Sequence, residues 1–550
     1  LKSWFELAQE VRKVELMMGR AARLLTLMRP VALIPSAFLV AAGADTRSVV
    51  FVKRDATTLL SELNDRADPS STAFLKWMTK DEVAAVLRPD PAHLEHVILE
   101  ATRHGASSVS VVGGDKVEVF FPAEASSAAY HESMTRAAHA VDFVVSSGVS
   151  VSSGASAAAA FSLSTAPRGS RSHRRKVNST TAAAAFRSSS SDPQACLASI
   201  DGVTGSCILK AYGLDGFGLG AGGGGQAFVV NQGFVPHDVS QFQQENKLVS
   251  NPVAHIVGTN SGKAGDEASL DAEIITTTGR GIETTYVYID GGTSNPFANW
   301  LIWAAKASDA ELPKVHSLSV GAPEGAVGDV IIQRMNTEMA ALGVRGVSIV
   351  FASGDSGYQP EQKFGAASPY VTSVGGVYNG EMRQSGLQAD SLTTGGFAAS
   401  KHNTAQPWQA AAIASYTKNR RPGSQPATID PTRRAVPDVS AYDDEVNIVQ
   451  DGAPTSLSGT SAACPMVAGM LAGINAALHA AGHKTTLGFA NPFLYANEAA
   501  FLDITEGDNR GISAVKGYDP ISGLGTFRVD TFAKLRDAAL KALAERAMVV

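Results

Sequence analysis

Ser458-Gly459-Thr460-Ser461-Ala462-Ala463-Cys464-Pro465 leads directly into an apolar segment, Met466 to Ala481, whose residues recur at helical spacing. The spacing predicts a helix that begins near Met466. A serine at the amino end of a helix lies in the positive end of the helix dipole, where an alkoxide or oxyanion is stabilised. A serine that merely caps the helix is the more common use of this position. The stretch alone therefore leaves both roles of Ser461 open.

Short β-branched apolar runs lie upstream of this helix, as expected for strands that are buried on both faces. The runs are Glu283–Ile289, Val315–Val320 and Val347–Ala352, and a segment with helical apolar spacing, Val327–Leu342, lies between the last two. This alternation predicts an α/β fold, with a parallel sheet that has helices on both faces. Because ligands in such folds bind at the carboxyl ends of the strands, we expect the functional residues there.

The composition is that of a folded protein and argues against several functions. Of 550 residues, 44% are hydrophobic and 18% are charged, and 46 Lys and Arg against 52 Asp and Glu leave a net charge of −6. A chain without a basic field binds nucleic acid poorly, so we expect no nucleic-acid partner. The three cysteines form no Cys-x-x-Cys motif, and the chain has neither His-Glu-x-x-His nor a Walker P-loop, which disfavours redox, zinc and nucleotide chemistry.

Residues 1–44 are predicted to be an upstream stretch followed by a signal peptide. A basic region that ends at Arg29 precedes the apolar run Val31–Ala42, and small residues follow up to Ala44. This order is that of a secretory signal, although a buried core helix is the alternative, and the run is shorter than the roughly 20 residues of a membrane span. No later segment is expected to span either. We therefore expect no membrane partner for the mature form, and a secretory route in which Cys196 and Cys207 are able to pair.

The next region, residues 45–145, is predicted to be a small α+β unit. Its patterns indicate a strand, two helices and a pair of strands: Ser48–Val52, Lys80–Leu87, His93–Arg103, Val109–Val112 and Val117–Phe121. Residues 146–192 follow as a Ser/Ala-rich segment that cannot bury a core, so we predict an exposed linker that is open to proteases. Its basic cluster between Arg168 and Lys176 is either a processing region or a solvated run of charge without function. The main domain is then residues 193–550.

The segment Gly459-Thr460-Ser461-Ala462, with Pro465 and a small-residue helix behind it, resembles the nucleophile segment of subtilisin-like serine peptidases. A serine nucleophile requires a general base within hydrogen-bond reach, and none of the twelve histidines is followed by Gly-Thr as the base of those enzymes is. Instead, Glu267 and Asp271 lie four residues apart on one face of a predicted helix. Without the rest of the chain, they are better explained as an acidic first turn that favours the helix dipole.

Three segments, in this order, resemble the catalytic segments of the sedolisins, the serine-carboxyl peptidases. They are Glu267-Ala-Ser-Leu-Asp271, Phe351-Ala-Ser-Gly-Asp355-Ser-Gly357 and Ser458-Gly-Thr-Ser461. The resemblance covers residues from about 195 to 550 and extends into residues 67–89, which are similar to the propeptide of the family. It is strongest to the tripeptidyl-peptidase group. It implies a subtilisin-like parallel sheet with helices on both faces, preceded by a small α+β pro-domain.

The resemblance implies Ser461 as nucleophile, Glu267 as its general base and later acid, Asp271 as the group that orients Glu267, and Asp355 as the oxyanion partner. A glutamate with an ordinary pKa of about 4.3 accepts a proton well only in acid. A carboxyl donates a hydrogen bond to an oxyanion only when it is protonated. Glu267 and Asp271 in hydrogen-bond contact share a proton and titrate as a pair. We therefore expect an acid-acting serine-type peptidase with peptide or protein substrates.

Asp503 and Asp519 lie among Gly-rich turns near the carboxyl end, and their spacing alone is better explained by Asx turns than by a metal. The sedolisin resemblance, however, implies one Ca²⁺ per chain, held by these two side chains and the carbonyls of Ile504, Val515 and Gly517. Such an all-oxygen set suits calcium. Val515 departs from the glycine of the family, and a carbonyl ligand survives that change unless the backbone needs a positive φ.

The resemblance further implies a zymogen whose pro-domain is an intramolecular inhibitor over the catalytic cleft and is cut off in acid between about residues 146 and 193. We expect release of tripeptides from free amino termini, in a lysosome or another acidic endosomal compartment, or after secretion. A sedolisin-type endopeptidase is the first alternative. A neutral subtilisin-like enzyme, a catalytically silent calcium-binding module and an unprocessed surface protein with a Ser/Ala stalk are the others. Cys464 is expected to be a small buried hydrophobe.

Overall fold

The computed structural model describes residues 46–146 and 195–547, apart from residues 123–124, 126, 200–201, 217–219, 221, 291–294 and 380–385. The predicted signal peptide, the processing region and all of the linker beyond Ser146 lie outside these described residues. All of these described residues belong to one compact unit.

Residues 46–146 form a four-stranded antiparallel sheet, in the order β2-β3-β1-β4, with helices packed on it. The elements are β1 (Thr46–Val52), α1 (Thr57–Ala67), α2 (Lys80–Val86), α3 (Pro91–Arg103), β2 (Ser108–Val112), β3 (Lys116–Phe121), α4 (Ser127–Arg136) and β4 (Val141–Ser146). Every element predicted for this region is present, within three residues at each end. The sequence analysis missed α1, α4 and β4. Their apolar residues include Leu63, Met134 and Val144, which are all buried.

The described part of the main domain holds an eight-stranded sheet, in the order β13-β12-β10-β8-β5-β7-β6, with β16 also paired to β12. All pairs in it are parallel except that of β12 with β13. The helices and strands up to β10 are α5 (Gly205–Ala211), β5 (Gln226–Val230), α6 (Pro236–Glu245), β6 (Val253–Val257), α7 (Asp266–Thr278), β7 (Thr284–Tyr288), α8 (Pro296–Lys306), β8 (Val315–Leu318), β9 (Ala322–Pro323), α9 (Glu324–Val327), α10 (Asp329–Val344) and β10 (Ser348–Ala352).

The remaining elements are β11 (Lys363–Phe364), β12 (Thr372–Tyr378), β13 (Gln388–Ala389), β14 (Gly396–Phe397), α11 (Pro407–Asn419), β15 (Ala435–Val436), β16 (Val439–Tyr442), β17 (Val446–Gln450), β18 (Ala453–Leu457), α12 (Thr460–Ala480), α13 (Asn491–Ala496) and α14 (Thr531–Ala547). The register pairs Val315 of β8 with both Gln226 of β5 and Ser348 of β10. The carboxyl ends of these three strands therefore lie side by side, as a parallel sheet requires. The predicted α/β fold, a parallel sheet with helices, is confirmed.

Helix α12 begins at Thr460, so the expected start near Met466 is wrong. Pro465, which comes directly before the predicted start, lies inside the helix. Its missing N–H leaves the Ser461 carbonyl without an i+4 donor. Gly459 occupies the N-cap and no side chain caps the helix. Ser461 is therefore not the cap residue. Contrary to our expectation, α12 is also long and apolar enough to cross a membrane, but nearly all of it is buried in the protein.

The cysteines behave as the sequence predicts. Cys196 and Cys207 form a disulfide, with their Cα atoms 5.7 Å apart. Cys464 is a free, buried thiol on α12, and its burial raises the pKa of the thiol to about 12. A thiol with so high a pKa is a packing group rather than a nucleophile.

Buried ion pairs join residues 46–146 to the main domain. Arg334 of α10 contacts Asp115 at 2.6 Å and Asp142 at 2.7 Å, and Glu338, one turn further along, contacts Arg54 and Lys116, each at 2.8 Å. Lys116, Arg334 and Glu338 are at most 3% exposed. We refer to these six residues as the junction cluster. Because every charge in it has an opposite partner, burial of the cluster is tolerated, whereas loss of one member is costly.

Candidate active site

The predicted catalytic residues come together at the carboxyl ends of the central strands. Asp355 follows β10, while Glu267 and Asp271 lie in the first two turns of α7, and Ser461 lies in the first turn of α12. Gln232, just past β5, accepts a hydrogen bond from the Glu267 N–H at 3.0 Å and so holds the start of α7 against the sheet. The four residues that the resemblance implies therefore lie in one site, where an α/β sheet binds its ligands.

Glu267 and Asp271 lie on one face of α7, as their four-residue spacing predicts, and both are buried, at 8% and 0% exposure. The Ser461 hydroxyl lies next to the Glu267 carboxyl and lowers the pKa of that carboxyl. Glu267 Oε1 and Asp271 Oδ2 are buried without any hydrogen-bond partner among the described residues. A serine hydroxyl thus faces a carboxyl that has an unused acceptor atom, which is the arrangement a general base needs.

The pKa values of both carboxyls are raised. Burial raises the pKa of Glu267 well above its ordinary value, the negative charge of Asp271 raises it further, and the hydrogen bonds from Ser461 and Ser319 act in the opposite direction. Burial raises the pKa of Asp271 to about 8, again opposed by Ser319. Two buried carboxyls this close cannot both ionise easily, so the pair holds one proton over a wide range of pH.

Ser319 is a member of the site that the sequence analysis missed. It follows β8, and its Oγ donates a hydrogen bond to Asp271 Oδ1 at 2.7 Å. The only local signal was its place directly after an apolar strand of a parallel sheet.

Asp355 is held at the amino end of α12. Its Oδ1 accepts hydrogen bonds from the N–H and the hydroxyl of Thr460, both at 2.8 Å. A Cβ on Gly459, whose φ is +138°, would lie 2.7 Å from Asp355 Oδ2, so only glycine allows this approach. Burial raises the pKa of Asp355, while the Thr460 bonds and the charge of Lys363 lower it. The net effect favours a protonated carboxyl next to Ser461.

Two further carboxyls behind Asp355 were also missed. Asp390 and Asp443 are buried next to each other, and burial raises the pKa of both. The Asp443 carbonyl accepts the N–H of Gly459 at 2.7 Å, which ties this pair to the loop that holds Asp355. They come from distant parts of the chain, and nothing in their local sequence indicated the contact.

The histidines of the described residues do not supply a base for Ser461. None of them hydrogen-bonds to Ser461 or Glu267 among the described residues. His316 of β8, which is fully buried, accepts a hydrogen bond from Trp300 Nε1 at 2.9 Å through its Nδ1. Burial lowers the pKa of His316 to about 3. The neutral subtilisin-like alternative, which requires a histidine base, therefore finds no support in this geometry.

The residues implied for calcium are also close together. The Gly517 N–H donates to Asp503 Oδ2 at 2.9 Å, and the Val515 N–H donates to Asp519 Oδ2 at 2.9 Å. Asp519 is fully buried, whereas Asp503 lies at the surface. Among the described residues, Val515 is not one of those with positive φ, so the change from glycine causes no backbone strain. Two carboxylates and three carbonyls on one turn fit a hard cation such as Ca²⁺.

The sequence comparisons agree with the fold and the site. Residues 253–487 match the profile of the subtilase family, and this stretch contains Glu267, Asp271, Asp355 and Ser461. Fold, site and this match are thus all similar to those of subtilase-family serine peptidases.

More specific similarity is to tripeptidyl-peptidase 1. The chain is 34% identical to that of Bos taurus over 361 residues and 33% identical to that of Homo sapiens over 358, in each case 59% of this chain and 62% of the relative. The chain thus spans about three fifths of these relatives' length. Pseudomonas sedolisin, a serine-carboxyl proteinase solved with two molecules of pseudo-iodotyrostatin, is similar at 21% identity and a TM-score of 0.48, over 62% of this chain and 98% of that one. The predicted resemblance to the tripeptidyl-peptidase group is confirmed.

Proposed function

We propose that this protein is an acid-acting serine-carboxyl peptidase with peptide or protein substrates. The observation that carries the proposal is the Ser461 hydroxyl next to Glu267, a buried carboxyl that has Asp271 as its neighbour and no basic partner among the described residues. Strongly perturbed pKa values in a cleft are typical of catalytic groups.

In the proposed mechanism Ser461 Oγ attacks the substrate carbonyl carbon while Glu267 takes the hydroxyl proton. Protonated Asp355, at the positive end of α12, donates a hydrogen bond to the oxyanion that forms. Glu267 then returns its proton to the leaving amine as the C–N bond breaks. A water molecule then attacks the acyl carbon while Glu267 takes a proton from it. The bond between that carbon and Ser461 Oγ breaks as Glu267 returns the proton to the serine oxygen, which releases the product acid. Asp271 orients Glu267 throughout.

The expected pH profile is bell-shaped and lies in acid. The acidic limb arises where the Glu267–Asp271 pair takes up its second proton, because the base is then lost. The other limb arises where Asp355 loses the proton it donates. Since burial raises the pKa of Asp355 above its ordinary value, this limb lies at higher pH than for an exposed aspartate. Such a profile suits a lysosomal or other acidic compartment, or an acidic medium after secretion.

We further propose release of tripeptides from free amino termini, supported by the similarity to tripeptidyl-peptidase 1. An endopeptidase with the same chemistry is the second candidate. A pair of substrates separates them: one with a free amino terminus and a reporter after its third residue, and an internally quenched peptide blocked at its amino terminus. Release only from the first, in acid, supports a tripeptidyl-peptidase, and cleavage of the blocked peptide supports an endopeptidase. Absence of both in acid contradicts the proposal.

Residues 46–146 are proposed to be the inhibitory pro-domain of a zymogen, removed by cleavage between about residues 146 and 193. The junction cluster supplies a firm attachment to α10. The positive charges of Lys116, Arg334 and Arg54 hold the pKa of Glu338 far below its ordinary value. This part of the attachment keeps its charges in mild acid. Cover of the catalytic cleft by this unit stays a prediction.

One Ca²⁺ at Asp503 and Asp519, with the carbonyls of Ile504, Val515 and Gly517, is proposed as a stabilising ion. A cation that binds only the folded state stabilises it by mass action, by about 3 kcal/mol at a hundred times its dissociation constant. Chelation should therefore lower the melting temperature, and the Asp519→Ala variant should no longer respond to chelator. An equal response of both proteins, or no metal in the purified protein, contradicts the site.

A further inference from the structure

Lys363 of β11 lies over the carboxyl ends of β8 and β10, where the catalytic residues meet. Gly321 follows β8 and Gly354 follows β10, and the stem of the lysine passes over both glycines. A Cβ on Gly321 would lie 3.2 Å from Lys363 Cβ, and a Cβ on Gly354 would lie 3.1 Å from Lys363 Cγ and 3.3 Å from Lys363 Cε. The two glycines therefore leave the space that this side chain fills.

The ammonium end of Lys363 lies beside the residue that the mechanism assigns to the oxyanion. Gly354, against which Lys363 Cε packs, directly precedes Asp355. Antiparallel pairing of Lys363 with Pro323, between β11 and β9, holds the lysine backbone at this place. The charge of Lys363 lowers the pKa of Asp355, which agrees with the packing. A cation thus lies next to the point at which a substrate carbonyl is attacked in the proposed mechanism.

This ammonium is available to an anion. No hydrogen bond or ion pair joins it to another residue in the described part of the chain. Two acids act on its charge, and both have other partners. Asp355 accepts two hydrogen bonds from Thr460, and Glu361 accepts the N–H of Gly325 at 2.8 Å. Because the lysine side chain is partly exposed, a ligand in the cleft is able to reach it.

The ammonium keeps its charge in acid. Burial lowers the pKa of Lys363 from its ordinary value of 10.5, and the charges of Asp355 and Glu361 act in the opposite direction. That ordinary value lies far above an acidic working pH, so the proton is retained where the peptidase is proposed to act. A substrate glutamate, with an ordinary pKa of about 4.3, is mostly ionised at about pH 5. Enzyme and substrate therefore carry opposite charges in mild acid.

We propose that Lys363 is a specificity-determining residue whose ammonium binds a carboxylate side chain on the substrate residue that supplies the attacked carbonyl. The inference rests on the proposed function and adds a substrate class to it, namely peptides with Glu or Asp directly before the cleaved bond. The oxyanion of that carbonyl has to lie against Asp355, beside the ammonium. The side chain of the same residue branches from the Cα next to the carbonyl carbon, which brings its carboxylate within reach of Lys363.

Three matched substrates measure this preference. They carry Glu, Gln or Lys as the third residue behind a free amino terminus, with a reporter after it, and a second set of internally quenched peptides carries the same three residues before the cleaved bond. Gln has the shape of Glu without the charge, so the ratio of kcat/KM for Glu to that for Gln isolates the charge. We expect a ratio of about ten in the wild type at about pH 5, because a hydrogen bond between charged groups that water partly screens contributes this much.

Lys363→Met keeps most of the stem and removes the charge, so the ratio should fall to about one. Lys363→Glu should reverse the preference and favour the substrate with Lys. Lys401 offers a matched control, since it is an exposed lysine that has its own acid partner, Asp329, at 3.5 Å. Lys401→Met should therefore keep the wild-type ratio. The full chain is incubated in acid before each assay, and melting temperatures check that every variant folds.

A wild type that cleaves the Glu and Gln substrates equally well overturns the inference, and this test needs no variant. A wild-type ratio in Lys363→Met, or an equal loss of the ratio in Lys401→Met, overturns it as well. In these cases the wild type is still an acid peptidase. A wild type that cleaves no substrate of either set in acid overturns the proposed function itself.

Discussion

Glu338 in the junction cluster and the Glu267–Asp271 pair in the catalytic centre are all buried, but their pKa values are shifted in opposite directions. In the junction cluster, Lys116, Arg334 and Arg54 face Glu338 and lower the pKa of its carboxyl. In the catalytic centre, Glu267 and Asp271 face each other and two serine hydroxyls, and burial raises the pKa of both. Burial thus acts on the carboxyl pKa in the same way in both places. The presence or absence of a basic partner decides whether the pKa is finally lowered or raised. The Glu267–Asp271 pair, which lacks a basic partner among the described residues, is therefore the one suited to transfer protons.

The largest expected effect breaks the catalytic side of this comparison. Ser461→Ala and Glu267→Gln should each reduce turnover by at least about a thousandfold, since the serine and its base act as a unit. Neither should unfold the protein, because the glutamine is isosteric and removes a charge that burial disfavours. Steady-state kinetics with melting curves as the control test this. A Glu267→Gln enzyme with most of its activity would show that another residue is the base.

The next largest effect is expected in the junction cluster. Glu338→Gln leaves three buried basic groups with too little negative charge, so we expect a loss of about 3–5 kcal/mol in the free energy of unfolding. Asp271→Asn, which removes a buried carboxyl without a basic partner, should change stability by less than about 1 kcal/mol. Chemical unfolding of both variants at pH 7 tests the contrast. Similar losses in the two variants would mean that pairing does not distinguish the clusters.

A smaller effect concerns Asp355, which the mechanism needs in its protonated form. An amide donates a hydrogen bond at every pH, so Asp355→Asn should lower the maximal rate by about tenfold, less than the full loss of an oxyanion donor, and should extend activity to higher pH. The pH dependence of kcat/KM measures both effects. If the neutral limb of this variant coincided with that of the wild type, a different group would set that limb.

The smallest expected effect is on the stability of residues 46–146 in acid. His131 is buried, with its Nε2 2.8 Å from Ser48 Oγ and 2.6 Å from Ser146 Oγ, while its Nδ1 has no partner in the described part of the chain. Burial lowers the pKa of His131 below its ordinary value of 6.5. The unfolded state then takes up the proton more readily. The contribution of neutral His131 to stability should be fully present above pH 6.5. Below that pH the folding equilibrium constant should fall by at most about tenfold per pH unit, until the pH reaches the pKa of His131 in the folded state.

Amide hydrogen exchange of β4, measured in the full chain with Ser461→Ala to prevent cleavage, tests this effect. Exchange at Val141–Ser146 should accelerate between pH 7 and pH 5 relative to its intrinsic rate. The acceleration should vanish in His131→Gln and persist in His139→Gln, which changes an exposed histidine. If His131→Gln retained the acceleration, another group would be responsible for any acid loosening of this strand.

Sequence reasoning reached the parts of this protein that local patterns encode. The apolar runs around β7, β8 and β10, and the three short segments that contain Glu267, Asp355 and Ser461, each carry their signal within about ten residues. Ser319 carries almost none, since any serine after a strand looks alike and only the register of β8 brings it to Asp271.

The junction cluster could not be predicted from the sequence for the same reason. Arg334 and Glu338 read as ordinary charged residues on a helix, with a spacing that predicts an exposed i,i+4 pair. Their partners Asp115 and Lys116 lie more than two hundred residues earlier in the chain. The start of α12 was misplaced because proline usually marks the first turn of a helix, and here it lies within the helix next to the nucleophile segment.

The central claim is that the Glu267–Asp271 pair beside Ser461 keeps a proton because burial is not offset by a basic partner among the described residues. Infrared titration of carboxyl protonation in the Ser461→Ala protein tests it most directly, with Asp271→Asn and Glu338→Gln introduced into the same background. The account predicts a protonated carboxyl at pH 6 that Asp271→Asn diminishes and Glu338→Gln leaves in place. A protein whose carboxyls are all ionised at pH 6, or a signal that only Glu338→Gln removes, would contradict it.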